Sequence, residues 1–205
     1  MRFAIVVALL LLAARASASP LAPFSVLDAR ALTRAEPGAW AEYLTVVGGH
    51  PVGPWVRILA LGPAEQADGF WIEVWISQRP GSATQAFRML LVDDPGVPGG
   101  VAQVVGRILG GPPQKLPLPE APPAQGAQGT WVRGAIEAVQ TSAGTIRARR
   151  AELIRDGKPV ARAWLDAELP ILGLARLELA SGVGLELYAF GRGGIGVVDL
   201  PGTGR

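Results

Sequence analysis

Apolar and polar positions alternate with period two through residues 55–77, and the rest of the chain reads around that stretch. In its first half Val56, Ile58 and Ala60 share one side, and Trp55, Arg57, Leu59 and Leu61 the other. In its second half Phe70, Ile72, Val74 and Ile76 share one side, and Trp71, Glu73, Trp75 and Ser77 the other. This alternation predicts two half-buried antiparallel strands. Gly62-Pro63 and Asp68-Gly69 supply the turn between them. Setting Arg57 opposite Glu73 also pairs Trp55 with Trp75, Ile58 with Ile72 and Val56 with Val74. One side of the hairpin is then aliphatic and aromatic, and the other carries tryptophan and charge.

Residues 40–47 (WAEYLTVV) and 86–92 (AFRMLLV) read as further strands. Residues 25–35 predict a short helix capped by Ser25 and stopped by Pro37-Gly38. Val101, Val104, Val105, Ile108 and Leu109 recur at helical spacing between two glycine pairs, and predict a second short helix. That helix is either packed permanently on the sheet or a movable cover. Residues 112–129 form a Pro-rich connection with little strand or helix potential. Strands resume at 131–141 and 145–155. Asp156-Gly157 turns the chain into 160–166, and a last hairpin joins 175–180 to 185–190. The absence of strand–helix alternation argues against a parallel sheet. The expected fold is mainly β: a strongly curved antiparallel sheet, or half-barrel, with two or more short helices on its apolar face.

Composition narrows the function. The 205 residues suit one domain, with nearly half of them hydrophobic. The first eighteen read as a signal peptide: Arg2, an apolar run over 3–14, and the small-x-small site Ala16-Ser17-Ala18. An uncleaved anchor is the alternative, but the run is short for a membrane span. The expected organisation is a signal peptide over 1–18 and a single β-rich domain over 19–205, exported to the periplasm or secreted. The chain carries 19 Lys plus Arg against 17 Asp plus Glu, and losing Arg2 and Arg15 leaves 17 of each sign. That balance argues against a nucleic-acid binder.

Catalytic chemistry finds little support. There is no Cys, one His and no G-x-S-x-G elbow, so thiol or serine acyl transfer lacks its parts. His50 sits in a Gly-Gly-His-Pro turn and reads as a solvated loop residue. Metal binding through Cys and His is excluded by count, and Asp93-Asp94 fits a turn better than a cation loop. Gly191-x-Gly193-Gly194-x-Gly196 opens no helix, which rules out a dinucleotide fingerprint. Arg147, Arg149, Arg150 and Arg155 cluster locally. They read as a solvated strand face, with contact to anionic lipid headgroups as the sharper alternative. No cofactor and no enzymatic activity are expected.

In the second half Ala143-Gly144-Thr145-Ile146, then Trp164, then Leu169-Pro170-Ile171-Leu172-Gly173-Leu174 leading into Leu177-Glu178-Leu179 is similar to a run in the LolA/LolB-like superfamily. These are lipoprotein and lipid carriers of the cell envelope. The resemblance spans most of the chain beyond residue 18 and its motifs are structural, so no family functional residue carries over position by position. It implies an unclosed barrel that binds acyl chains beneath helices. The absence of a lipobox cysteine departs from LolB-type members and implies a soluble periplasmic form.

The resulting expectation is a carrier or sensor for an acyl chain, lipid or lipoprotein. Val56, Ile58, Phe70, Ile72, Val74, Ile76, Phe87 and Met89 would line the sheet side. Val101, Val104, Val105, Ile108 and Leu109 would line a lid. The alternative is an envelope structural or interaction protein with a self-filled core, making contact through Trp55, Trp71 and Trp75.

Overall fold

The computed structural model describes residues 32, 34–65, 68–92, 101–108, 111–117 and 129–198. Among them lie eleven strands and no α-helix. The strands are β1 (Trp40–Val47), β2 (His50–Pro63), β3 (Phe70–Ser77), β4 (Gln85–Leu91), β5 (Val101–Ile108), β6 (Gln114–Leu116), β7 (Thr130–Thr141), β8 (Gly144–Arg155), β9 (Lys158–Leu165), β10 (Leu174–Leu179) and β11 (Val183–Gly191). They form one antiparallel sheet in the order β6-β5-β4-β3-β2-β1-β11-β10-β9-β8-β7. Two meanders, β1–β6 and β7–β11, are joined where the first strand pairs the last.

The sheet is rolled. Strands β6 and β7 are consecutive in sequence yet lie at opposite edges. The roll is visible at the tip of the β7–β8 hairpin. There Ala143 donates its N–H to the Leu187 carbonyl at 3.2 Å, and Ser142 donates both its N–H and its hydroxyl to Glu186 at 2.8 Å. Three strands separate β7 from β11 in the sheet order, so these bonds need the second meander to curl back on itself.

Local chemistry sets the turns. Gly48 and Gly49 link β1 to β2 with φ of 57° and 81°, and Asp156 and Gly157 link β8 to β9 with φ of 51° and 72°. Positive φ at both central residues is the two-residue hairpin geometry whose twist matches the flanking strands.

Three expectations are corrected. Residues 101–108 are strand β5, not a helix, and Leu109 lies outside the described residues. The three-residue spacing of Val101 and Val104 arises from a register shift opposite Leu90/Leu91, which places both on the same side. Val105 faces the other way, so two sheet faces imitate one helical stripe. The β2–β3 register is offset by two residues from the expected one: Arg57 faces Trp75, Val56 faces Ile76, Ile58 faces Val74 and Trp55 faces Ser77. An even offset preserves every face assignment. Within the Pro-rich connection, Gln114–Leu116 forms the edge strand β6, paired with β5. Most of the expected helix at 25–35 lies outside the described residues. Leu32 is buried in the core and Ala35 packs against it.

Candidate functional site

The sheet presents two chemically distinct faces. On the aliphatic face, Val56, Ile58, Phe70, Ile72, Val74, Ile76 and Met89 are all buried, and half-buried Phe87 packs against them. Val101 and Val104 of β5 extend this surface. Of the residues first assigned to a lid, these two line the sheet itself. Val105 lies on the opposite face, and Ile108 is exposed at 69%.

The aliphatic face continues across the β1–β11 seam. Ala41 and Tyr43 of β1, Leu185 and Leu187 of β11, Leu177 of β10 and Ala161 and Ala163 of β9 belong to the same buried cluster. Their alternation was legible in the sequence, but only the topology shows that they adjoin the β2–β4 residues. Burial pushes the Tyr43 hydroxyl above its ordinary pKa, so it stays neutral. The buried carboxylates Glu42 and Glu73 both lie on the opposite face. Among the described residues the aliphatic face therefore has no buried charge. It offers a surface for apolar groups, on which the Tyr43 hydroxyl is buried and neutral.

The opposite face carries tryptophan and ion pairs. Arg57 Nη2 donates to Glu42 at 3.0 Å, and its guanidinium lies 4.3 Å from the Trp40 ring centre and 5.1 Å from that of Trp75. Glu73 is fully buried. It accepts from Arg88 Nη2 at 3.2 Å, Trp75 Nε1 at 2.6 Å, and the backbone N–H groups of Val197 and Val198 at 2.6 and 3.1 Å. Sequence reasoning placed Glu73 on the tryptophan side but gave no sign of its partner 124 residues later. The glycines near the C-terminus serve this contact: a Cβ on Gly196 would lie 2.7 Å from Arg88 Nη2 and 2.8 Å from Glu73 Oε2.

Trp55, Trp71 and Trp75 share this face and are half-buried. Trp55 meets Tyr188 edge to face at 6.2 Å, and Trp75 packs beside Ala86, Val105 and Val198. On β8–β10 the same face carries a ladder that runs Arg150–Glu152–Arg162–Glu178–Arg176, with Trp164 between Arg162 and Arg176. Trp164 Nε1 donates to Glu137. His50 is exposed at the start of β2. Among the described residues no three His, Asp or Glu side chains converge as metal ligands.

No family model matches the chain, and no curated protein matches it. Among solved structures it is similar to a protein of YmcC-like fold from Bacteroides fragilis NCTC 9343, inferred to be exported. The two share 10% identity over 77% of this chain and 97% of that one, with a TM-score of 0.37.

Proposed function

We propose that this protein is an exported, non-catalytic binder of an acyl chain, lipid or lipoprotein in the cell envelope. The observation that carries the reading is the continuity of the aliphatic face. It runs from Val101 and Val104, through Met89, Ile72, Val74 and Ile58, to Leu187 and Leu177, with no buried charge among the described residues. An acyl chain is recognised by such a surface through area alone, at roughly 0.8 kcal/mol per buried CH2. Because 101–108 belong to the sheet, Val101 and Val104 act as lining and not as part of a lid. Val56, Ile72 and Val74 are at most 1% exposed, so a ligand enters by exchange with the groups that shelter them. The mechanism involves no covalent step.

That same depth of burial favours a second reading, a self-filled core in an envelope interaction protein. One experiment separates the two. Protein purified without detergent is examined by native mass spectrometry and challenged with a fluorescent fatty acid. Adduct masses or saturable uptake, weakened by Val74→Glu in a variant that remains folded, support the carrier. A bare polypeptide mass together with no uptake leaves the self-filled core.

A further inference from the structure

The arginines of the β7–β8 hairpin divide between its faces. Arg150 points to the ladder side, where it pairs with Glu152. Arg147 and Arg149 point the other way, opposite Ala138 and Ile136 of β7, and Arg133 of the same strand lies just beyond a register shift. Arg149 Nη1 reaches the Gly134 carbonyl at 3.1 Å, which brings its guanidinium beside the residue next to Arg133. All three are exposed, and among the described residues none has a carboxylate partner. The nearest acids in the register are Asp166 and Glu168, just past Leu165, the residue opposite Arg149. Asp166 Oδ1 is engaged by the Glu168 N–H, and neither acid pairs with the arginines. Between the arginines lies Ile136, 52% exposed.

We infer that Arg133, Arg147, Arg149 and Ile136 form a docking surface for an anionic lipid bilayer. Charge complementarity supplies the first argument. The chain as a whole is close to neutral, with a formal charge of +2, so three unpaired guanidinium groups on one small area are a local feature and not a by-product of a basic protein. Guanidinium groups bind phosphate in a bidentate manner, which suits phospholipid headgroups. Ile136 supplies the second. An exposed aliphatic side chain ringed by arginines gains from entering the acyl boundary while the charges stay at headgroup level, whereas a water-soluble polyanion gives it nothing. The register puts these residues on the same side of the sheet as Ala161 and Ala163, at the β7–β8 end of the aliphatic face. They are exposed and share no residue with the buried lining, so the surface stands whether or not that lining binds an acyl chain.

The test is flotation of the purified protein with vesicles of phosphatidylcholine alone and with about one third phosphatidylglycerol, at low and physiological salt. Binding is expected only to the anionic vesicles, weakening as salt rises. The triple variant Arg133→Gln, Arg147→Gln, Arg149→Gln should lose about a hundredfold in affinity, roughly fivefold per residue. A control triple, Arg34→Gln, Arg79→Gln, Arg155→Gln, removes the same charge elsewhere and should bind within about threefold of wild type; Arg155 lies roughly 26 Å along β8 from Arg147. Ile136→Ser should weaken the binding that persists at physiological salt. All substituted positions are exposed, and thermal unfolding confirms that each variant folds. Equal loss in both triples, wild-type binding by the first triple, or retention on dextran sulfate without vesicle binding overturns the inference. Fatty-acid uptake unchanged by the first triple separates this surface from the acyl-chain reading.

Discussion

Glu73, at the centre of β3, receives the backbone N–H of Val197 at 2.6 Å, and the next N–H, of Val198, falls on its second oxygen at 3.1 Å. One buried carboxylate thus fastens residues 197 and 198 to a strand formed far earlier in the sequence. Gly194 helps by donating its N–H to the Gly38 carbonyl at 2.9 Å, and Arg107 grips the Val197 carbonyl at 2.8 Å. The strap covers Ala86 and Val105, which are buried with Val198.

Removing that carboxylate should cost about 3 kcal/mol, because Glu73→Ala leaves Arg88 and two backbone donors without their acceptor. Glu73→Gln should cost less, since one acceptor oxygen remains. Urea unfolding gives the magnitude, and amide exchange at Val197 and Val198 gives the location. Unchanged exchange at those two amides in Glu73→Ala would show that the strap holds by other means.

Trp75 tests whether the tryptophan side is a contact surface or part of the fold. Its indole N–H donates to Glu73 at 2.6 Å and its ring packs on the strap. Trp75→Ser should therefore destabilise the protein by about 3 kcal/mol. Trp71→Ser, which breaks no such hydrogen bond, should cost about half as much. Thermal melts of the two variants check the order. Equal and negligible losses would return both residues to the role of a free surface.

The acid limb of stability should carry a signature of Glu152. The hydrogen bond from Arg150, and then that from Arg162, holds its carboxyl below the ordinary carboxylate range. A depressed folded-state pKa means that the pair contributes at neutral pH. The contribution fades as pH falls through the unfolded value and is gone below the folded one. The same bond raises the Arg150 pKa, away from any working pH. The melting temperature of Glu152→Gln should therefore lie slightly below wild type at pH 7, and the gap should narrow steadily as pH falls through the carboxylate range. The side chain is partly exposed, so the gap is small and shrinks with salt. A gap that stays constant from pH 7 to 3 would exclude this origin.

How much of this was written in the sequence depends on the range of the interaction. Period-two alternation located β1, β3 and the two last hairpins to within a residue or two, because each strand carries its own face pattern. It failed at β5, where a bulge and burial on both faces turned a strand into an apparent helix. The aliphatic lining from β2 to β4 was legible for the same local reason. Its continuation into Leu177, Leu185 and Leu187 depends on β1 meeting β11, which no local pattern encodes. The partners of Glu73 were equally hidden, since Gly-rich residues 191–196 announce close approach without naming what is approached.

Close approach also yields a discriminating pair of substitutions at two glycines with ordinary strand φ. A Cβ on Gly184 of β11 would run into the Leu177 carbonyl oxygen of the neighbouring strand, well inside van der Waals contact. Neither backbone can retreat, because β10 and β11 are paired there and each has a second neighbour. A Cβ on Gly106 of β5 would instead lie 2.5 Å from Leu116 Cδ1, the far end of a flexible side chain on the three-residue edge strand β6. That leucine can turn aside, and alanine recovers about 0.5–1 kcal/mol of backbone entropy that glycine loses on folding. Gly184→Ala should then cost at least about 2 kcal/mol, while Gly106→Ala should stay within about 1 kcal/mol of wild type. Chemical denaturation of the two variants measures the contrast directly. Comparable losses would mean that β6 is held as rigidly as the interior of the sheet, and that the Pro-flanked edge is a fixed border of the fold.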